Sequence, residues 1–196
     1  MNLLREYIRH LLTESAVDPK IMSMIDKAEE AGYKVKLFNA SNGGSVYLLA
    51  PGEVRSDRAL GTVDWRRPTD HGPCMQAKNV SYSKSMSGFG PLLYDVAIEA
   101  SGGLMADRFS VSGAAEAVWD YYVNNRPDVK VDQLDILEDY LEPQLTPDDK
   151  SDDCGQRQAY NNNEYDWHKS SLSKKYSKAG TPVIDELRNR GMLVKA

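Results

Sequence analysis

Apolar and polar positions along the chain follow two periods, which predict short helices and strands in interspersed order. Apolar residues at helical spacing predict helices over 19–31, 92–100, 113–123 and 183–190. Alternation in segments rich in β-forming residues predicts strands over 33–40, 45–50, 60–66, 74–82 and 104–109. Because strands and helices are mixed along the chain, we expect an α+β fold with a central mixed sheet and flanking helices.

Local end signals support these boundaries. Asp18 and Pro19 form an N-cap followed by a proline at the first helical position, and Gly32 supplies a left-handed residue after the helix. The run from Ser41 to Gly44 is typical of a hairpin turn. We therefore expect a first helix that leads into an antiparallel strand pair.

Segment 1–14 is amphipathic and is treated separately from the rest of the chain. Its apolar side chains fall on one helical stripe: Leu3, Leu4, Ile8, Leu11 and Leu12. Charged residues interrupt the apolar positions, which argues against a secretory signal. The pattern alone predicts a helix docked on the domain. The segment also resembles the targeting helix of internal head proteins in large tailed bacteriophages. The prohead protease removes that helix after a Leu/Ile-x-Glu tripeptide, which Leu12-Thr13-Glu14 matches.

Composition narrows the class of protein. The chain has 196 residues, 41% hydrophobic and 27% charged, as expected for a globular domain with extensions. Its 24 basic and 29 acidic residues give a net charge of −5, which argues against a protein that coats nucleic acid. No apolar run approaches the roughly 18 residues that span a bilayer, so we expect no membrane partner.

Cysteine and histidine usage argues against a metal site. Two cysteines, Cys74 and Cys154, are too few for a disulfide scaffold or a thiolate zinc site. The three histidines are scattered along the sequence. We therefore expect no metal cofactor.

The loop 83–91, SKSMSGFGP, has the residues of an anion site. A Ser/Gly loop that leads from a strand into a helix frees backbone N–H groups, and the helix dipole favours negative charge. Gly88 and Gly90 let the backbone approach a pyrophosphate, and Pro91 removes no donor that the helix needs. The chain has no Gly-Lys pair for a P-loop, and Leu93 breaks the dinucleotide fingerprint. The alternative is a plain strand-to-helix connection with glycines for geometry.

Two motifs resemble those of the GNAT acyltransferase superfamily. Gly88-Phe89-Gly90 is similar to the glycine half of its coenzyme A loop, [Gln/Arg]-x-x-Gly-x-[Gly/Ala], with Ser85 at the first position. The run from Ser112 to Trp119 is similar to Asn-x-x-Ala-x-x-[Leu/Phe]-Tyr, with Ser for Asn and Trp for Tyr. The order of elements over 20–125 agrees with the family, and the region also looks like uncharacterised GNAT-like proteins of large phage genomes.

The resemblance implies three regions: the N-terminal helix 1–14, a GNAT-like core 18–127, and an irregular extension 128–196 that is acidic, then basic, and ends in a helix. It also implies an acyl-CoA-dependent N-acyltransferase, in which an unidentified small-molecule or protein amine directly attacks acetyl-CoA or another acyl-CoA. The cofactor residues that it implies are Val80, Tyr82, Ser85, Met86, Ser87, Gly88, Phe89, Gly90, Pro91, Leu92 and Ser112.

In many of these enzymes a tyrosine protonates the departing thiolate, and Trp119 stands at that position here. The candidate catalytic residues are therefore Tyr121, Ser110 and Asp107, the last two near the end of the fifth strand. Each has a structural alternative: Asp107 could form a surface ion pair with Arg108, and Tyr121 could serve only packing. By its pattern, the helix face carrying Tyr94 and Asp95 is expected to be exposed.

Two segments keep other functions open. Ten of the 29 acidic residues lie between Asp128 and Asp153, which is typical of a solvated, partly disordered segment or of a path for a cationic substrate. The stretch 167–178 mixes aromatic and basic residues and could contact nucleic acid. The alternatives to a transferase are a non-catalytic GNAT-like protein packaged with phage head proteins and a base-modifying acyltransferase. We expect the protein in the cytoplasm of an infected host cell or inside the virion.

Overall fold

One mixed sheet of eight strands organises the part of the chain that the computed structural model describes, residues 17–137, 144–161 and 167–195. Five α-helices accompany the sheet within these residues. The α+β fold class predicted from the sequence pattern is therefore confirmed. The expected N-terminal helix 1–14 and its tripeptide lie outside the described residues.

The bounds of the elements are as follows. The helices are α1 (Pro19–Glu30), α2 (Gly90–Ser101), α3 (Gly113–Asn125), α4 (Arg157–Asn161) and α5 (Pro182–Asn189). The strands are β1 (Lys34–Ala40), β2 (Gly43–Leu49), β3 (Gly61–Arg66), β4 (Lys78–Lys84), β5 (Leu104–Met105), β6 (Lys130–Gln133), β7 (Lys174–Ser177) and β8 (Leu193–Lys195). Their order across the sheet is β6-β7-β5-β4-β3-β2-β1-β8. The pairs β4–β5 and β1–β8 are parallel, and the other neighbours are antiparallel.

The first helix and the first hairpin form as their sequence signals predict. The Asp18 Oδ1 accepts the N–H groups of Lys20 and Ile21 at 2.9 and 3.2 Å, which caps α1. The hairpin between β1 and β2 is tight, and Gly43 already pairs with Ala40. A Cβ at Gly44 would lie 2.4 Å from the indole ring of Trp65, so β2 needs glycine where this ring crosses it.

Two predicted strands differ from the structure in length. The strand predicted over 74–82 starts only at Lys78, because Cys74–Gln76 is a 3-10 turn with left-handed backbone angles. The strand predicted over 104–109 pairs only at Leu104 and Met105. The chain then turns, because the Asp107 Oδ1 accepts the N–H groups of residues 109 and 110 and so favours a turn over a ladder.

The C-terminal region, expected as an irregular extension, is part of the same sheet. Strands β6 and β7 extend the sheet beyond β5, and β8 forms its other edge beside β1. The expectation of a solvated, partly disordered acidic segment is wrong for the described acidic residues that are buried, among them Asp135, Asp152 and Asp153. Propensity could not reveal this, because burial depends on the neighbours that the sheet provides.

Helix α2 lies at the centre of the main core. Its residues Leu92 to Glu99 are all buried, and it contacts β2 and β3 on one side and the helices α1 and α5 on others. A helix that is apolar nearly all round is typical of an element enclosed by protein. The loop that leads into α2 is thereby anchored to the most buried part of the molecule.

Cys74 and Cys154 form a disulfide across 80 residues of sequence. The cysteine count argues against a scaffold of several disulfides, but it does not predict this single bond. The disulfide lies in a second, smaller core with Met105, Leu134 and Trp167. Its partner segments also pair through their backbones, since the Cys74 N–H donates to the Asp153 carbonyl at 3.0 Å.

Among the helices of the described residues, none combines the length and the apolar character needed to cross a bilayer.

Candidate functional site

Strands β4 and β5 separate soon after they meet. They pair in parallel only at Lys78 with Leu104 and at Asn79 with Met105, whereas β4 continues to Lys84. On its other edge, β4 has a register shift against β3 at the step from Asp64 to Trp65, which leaves Ser81 as an extra residue. A bulge of this kind bends a strand. The result is an opening on the β5 side of β4.

Two cavities, of about 380 and 240 Å³, lie along this opening. Four residues line both of them: Ser83, Tyr94, Ser112 and Ala115. We call the two cavities together the split-strand groove. The larger cavity lies at the loop 83–91, and the smaller lies beside Asp107 and Ser110. Their volumes are in the range of pockets that hold small molecules and cofactors.

The loop before α2 offers backbone donors to the larger cavity. The N–H groups of Ser87, Gly88, Gly90 and Leu92 have no acceptor among the described residues. Two other N–H groups of the loop are already bonded within the protein. The first is the Met86 N–H, which donates to the Leu60 carbonyl. Gly88 has a φ of +90°, a conformation that favours glycine, and a Cβ there would meet nothing within 4 Å.

The Phe89 N–H is the second loop donor that is already bonded, because it donates to the Met86 carbonyl at 3.2 Å. This bond and the one from Met86 close the loop on itself and on the sheet. Phe89 and Leu92 are buried in the core through their side chains, so Leu92 can offer only its N–H group. Four N–H groups of this region therefore remain without an acceptor among the described residues, and three of them belong to residues that line the larger cavity, namely Ser87, Gly88 and Gly90.

The charge at the larger cavity suits an anion. Lys84 is exposed and lines this cavity, and no carboxylate lines it among the described residues. The positive end of the helix dipole of α2 lies at the same point. The smaller cavity differs, because Asp107 lines it.

Tyr94 lies where the two cavities meet. Its hydroxyl donates to the Ser83 Oγ at 3.1 Å, and its ring packs edge-on against Trp119 at 5.1 Å between centroids. Burial raises the pKa of Tyr94, and the hydrogen bond to Ser83 lowers it only in part. Tyr94 is therefore a protonated phenol at neutral pH, and its hydroxyl bonds a serine that also lines both cavities.

The expectation that Tyr94 and Asp95 form an exposed helix face is wrong. Tyr94 is 3% exposed and Asp95 is fully buried. Helical spacing could have indicated the position of Tyr94. This residue follows Gly90 by four positions, so the two lie on the same face of the helix. The sequence could not reveal that this side faces an opening in the sheet.

Of the three predicted catalytic residues, the structure brings two to the groove. Asp107 and Ser110 line the smaller cavity, and the Asp107 Oδ1 accepts the Ser110 N–H at 2.9 Å. Tyr121 lines neither cavity, and the Lys20 ammonium lies 4.0 Å from the centre of its ring. Burial raises the pKa of Tyr121 as well, but its hydroxyl belongs to a different surface.

Arg108 does not form the surface ion pair with Asp107 that the sequence left open. Its side chain is fully buried and donates to the carbonyls of Ala106 and Leu172 at 3.0 and 2.7 Å. Burial lowers the pKa of Arg108 to about 9. Arg108 thus connects the turn after β5 to the segment before β7, which keeps that turn away from β4.

The other predicted cofactor residues lie at the groove with part of their polar groups already bonded. The Val80 carbonyl accepts the Asn79 side-chain amide at 2.8 Å, and the Ser85 hydroxyl donates to the Met86 carbonyl. The Ser112 Oγ caps α3 by accepting the Ala115 N–H. Tyr82 is half exposed and lines the smaller cavity.

The basic stretch 167–178 does not present the stacking surface that contact with nucleic acid requires. Trp167 and Tyr176 are buried. Lys178 is also buried and forms ion pairs with Asp95 and Glu99 at 3.2 and 2.7 Å. The side chains of Trp167, Tyr176 and Lys178 are therefore enclosed by protein, whereas Lys169 is exposed.

Comparison of the chain with known protein families, with curated proteins and with solved structures found no match.

Proposed function

We propose that the protein is an acyl-CoA-dependent N-acyltransferase that uses the split-strand groove to bind its cofactor. The observation that carries this proposal is the separation of β4 from β5 after two paired residues, next to a loop with four unpaired N–H groups. An extended ligand with an anionic end fits such an opening. Its amides would bond the free edge of β4 as an added strand does.

Charge sets the direction of the cofactor in this proposal. The pyrophosphate of coenzyme A would accept the free N–H groups from Ser87 to Leu92 and lie near Lys84. The pantetheine arm would follow β4 from Lys84 towards Val80. The thioester would then lie in the smaller cavity, which Tyr94 and Asp107 both line.

The proposed reaction is direct transfer. The lone pair of a neutral amine in the smaller cavity attacks the thioester carbonyl, and a C–N bond forms. The C–S bond then breaks, and the sulfur leaves with the electron pair. The amine nitrogen loses a proton, which would pass to Asp107, since this residue supplies the carboxylate among the described residues that line that cavity. The thiolate gains a proton from the Tyr94 hydroxyl, which Ser83 orients.

Binding of coenzyme A tests the site. Calorimetric titration of the full chain with coenzyme A should show saturable binding, and Gly88→Asp should weaken it at least about tenfold relative to Gly88→Asn. Asp and Asn share size and backbone strain at this left-handed position, so the difference between the two variants measures repulsion of the pyrophosphate.

Gly52 provides the matched control. It too has a left-handed φ, of +77°, a Cβ there would meet nothing within 4 Å, and it lies outside the groove. Gly52→Asp should leave the affinity for coenzyme A unchanged. Equal affinities for the Asp and Asn variants at Gly88 would contradict the assignment of the pyrophosphate to this loop.

Tyr94→Phe tests the proton donor. The variant should bind coenzyme A within about fivefold of the original protein, since it loses only one hydrogen bond, worth about 1 kcal/mol. Its kcat should fall about 100-fold, because a positioned general acid contributes at least about that factor. Release of the free thiol from acetyl-CoA in the presence of a panel of primary amines measures kcat.

Tyr121→Phe separates the two tyrosines. Tyr121 lies outside the groove, so its loss should change kcat less than about twofold. A large loss of kcat in Tyr121→Phe together with a small one in Tyr94→Phe would reverse the assignment and restore the expectation from sequence.

The second candidate is a non-catalytic protein on the same fold, packaged in a phage head. Trp119, at the position of the family's acid, is buried and stacks on Tyr176, which favours this candidate. The disulfide also supports it, because disulfides are rare in a reducing cytosol and persist in particles released from the cell. Coenzyme A binding without transfer to any amine of the panel would favour this function.

A further inference from the structure

Three aspartates gather at one point beside the disulfide, and none of them lines the groove. Asp135 follows β6, and Asp152 and Asp153 precede Cys154. Their exposed fractions are 1%, 6% and 7%. One carboxylate oxygen from each lies within 4.8 Å of the others.

The Asp152 carboxylate lacks hydrogen-bond donors. Its buried Oδ1 has no hydrogen-bond partner. Its Oδ2 lies 2.8 Å from the Thr146 hydroxyl oxygen, which also lies 3.0 Å from the Asp135 Oδ2. A hydroxyl carries a single hydrogen, so it can satisfy only one of these two oxygens. Asp152 is therefore a buried carboxylate with at most one donor.

Nor does the Asp152 carboxylate have a salt-bridge partner among the described residues. Within 17–137, 144–161 and 167–195, no lysine or arginine forms an ion pair with Asp152. Buried charges in proteins are paired, bound to a metal or neutralised, because removing them from water is costly. Two oxygens that face one hydroxyl hydrogen are an arrangement that a cation stabilises.

We propose that Asp135, Asp152 and Asp153 bind a hard divalent cation, and that this cation is calcium. Ca²⁺ prefers carboxylate and carbonyl oxygens at about 2.3–2.6 Å, so ligands on opposite sides of the ion lie up to about 5 Å apart. The three oxygens meet this limit. Mg²⁺ retains several water molecules, for which side chains so buried leave little room.

The surrounding contacts hold these ligands in place. The Asp135 N–H donates to the Asp152 carbonyl at 3.0 Å, and the Cys154 N–H donates to the Asp135 carbonyl at 2.8 Å. The disulfide fixes the same segment to the turn before β4. This site differs from the expectation of no metal, which rested on cysteines and histidines and did not consider buried carboxylates.

Thermal unfolding and calorimetry of the full chain with CaCl₂, after treatment with EDTA, test the proposal. Calcium should bind saturably, and at about a hundredfold excess over its Kd it should raise the Tm by about 5–10 °C. MgCl₂ should give a smaller shift at the same concentration. Asp152→Asn should abolish the calcium response, whereas the matched variant Asp148→Asn, at an exposed aspartate of the same segment, should retain it.

Other results would overturn the proposal. If millimolar calcium leaves the Tm unchanged and its calorimetric titration gives no measurable heat, the site does not hold the ion. If, in addition, Asp152→Asn has the same Tm as the original protein, this buried side chain needs no cation. Should Asp152→Asn fail to fold, displacement of bound Tb³⁺ luminescence by calcium in the original protein, and in Asp148→Asn, decides the question.

Discussion

Arg126→Gln is expected to lower the free energy of unfolding by about 3–5 kcal/mol, because it removes the buried cation that pairs with Asp95 and with Asp128. The Arg126 guanidinium donates to both oxygens of Asp95 at 2.8 Å and to both oxygens of Asp128. Its side chain is fully buried. Urea unfolding followed by circular dichroism measures the change.

The loss is large because Arg126 belongs to a network. Lys178 pairs with Asp95, Glu99 and Asp128, and the Tyr122 hydroxyl donates to Asp95. Without Arg126, three carboxylates share one lysine. Glu99 also accepts two N–H groups at the start of α5, so the network joins α2, α3 and α5.

The matched control is an arginine in an exposed pair. Arg188 contacts Asp185 one turn away on α5, and both side chains are more than half exposed. Arg188→Gln should change the free energy of unfolding by less than about 0.5 kcal/mol, as expected for surface pairs. Equal losses in the two variants would show that the buried network does not stabilise the fold as argued.

The network also predicts a dependence on pH. Burial acts to raise the pKa of Asp128, but the hydrogen bond and the charge of Arg126, together with the charge of Lys178, outweigh it and leave this pKa below its usual value of 3.8. The stabilisation from Asp128 is therefore present above that value and is lost as pH falls through the lower, folded pKa. Burial raises the pKa of Glu99, so its stabilising effect runs the opposite way and is greatest below its usual value of 4.5.

In Arg126→Gln the carboxylates keep their burial and lose a cation, so they take up protons more readily in the folded state. The deficit relative to the original protein should shrink as pH falls from about 7 to about 5. A deficit that stays constant over this range would mean that lost packing, and not unpaired charge, destabilises the variant.

Removal of the disulfide is the second change with a large expected effect. A crosslink that closes a loop of 80 residues reduces the conformational entropy of the unfolded chain. In the chain-entropy description this raises the free energy of unfolding by about 4–5 kcal/mol. For a chain of this size the loss corresponds to a fall in Tm of about 8–20 °C. Differential scanning calorimetry of the oxidised and the reduced protein measures it.

The double variant Cys74→Ala/Cys154→Ala separates loss of the bond from other effects of the reductant. It should unfold at the lower Tm with or without reductant, since it has no bond to reduce. A double variant as stable as the oxidised protein would mean that the smaller core around Met105 and Trp167 holds these segments together without the crosslink.

Local sequence alone predicted the elements whose signals are short in range. Asp18 and Pro19 determine the start of α1 through hydrogen bonds within one turn, and the β1–β2 hairpin follows from adjacent residues. The sequence predicts an anion site at the loop 83–91 because its glycines and the helix that follows are neighbours in sequence. The structure leaves N–H groups of this loop without an acceptor among the described residues, and the binding of an anion there stays a prediction.

Tertiary structure decided everything that depends on distant residues. The turn at Asp107 and the buried Arg108 separate β5 from β4, and no periodicity reveals where two strands part. Tyr94 replaced Tyr121 as the candidate acid because the groove lies beside one helix face and not the other. The disulfide and the aspartate cluster join segments many residues apart, and sequence spacing carries no information on such pairs until the chain has folded.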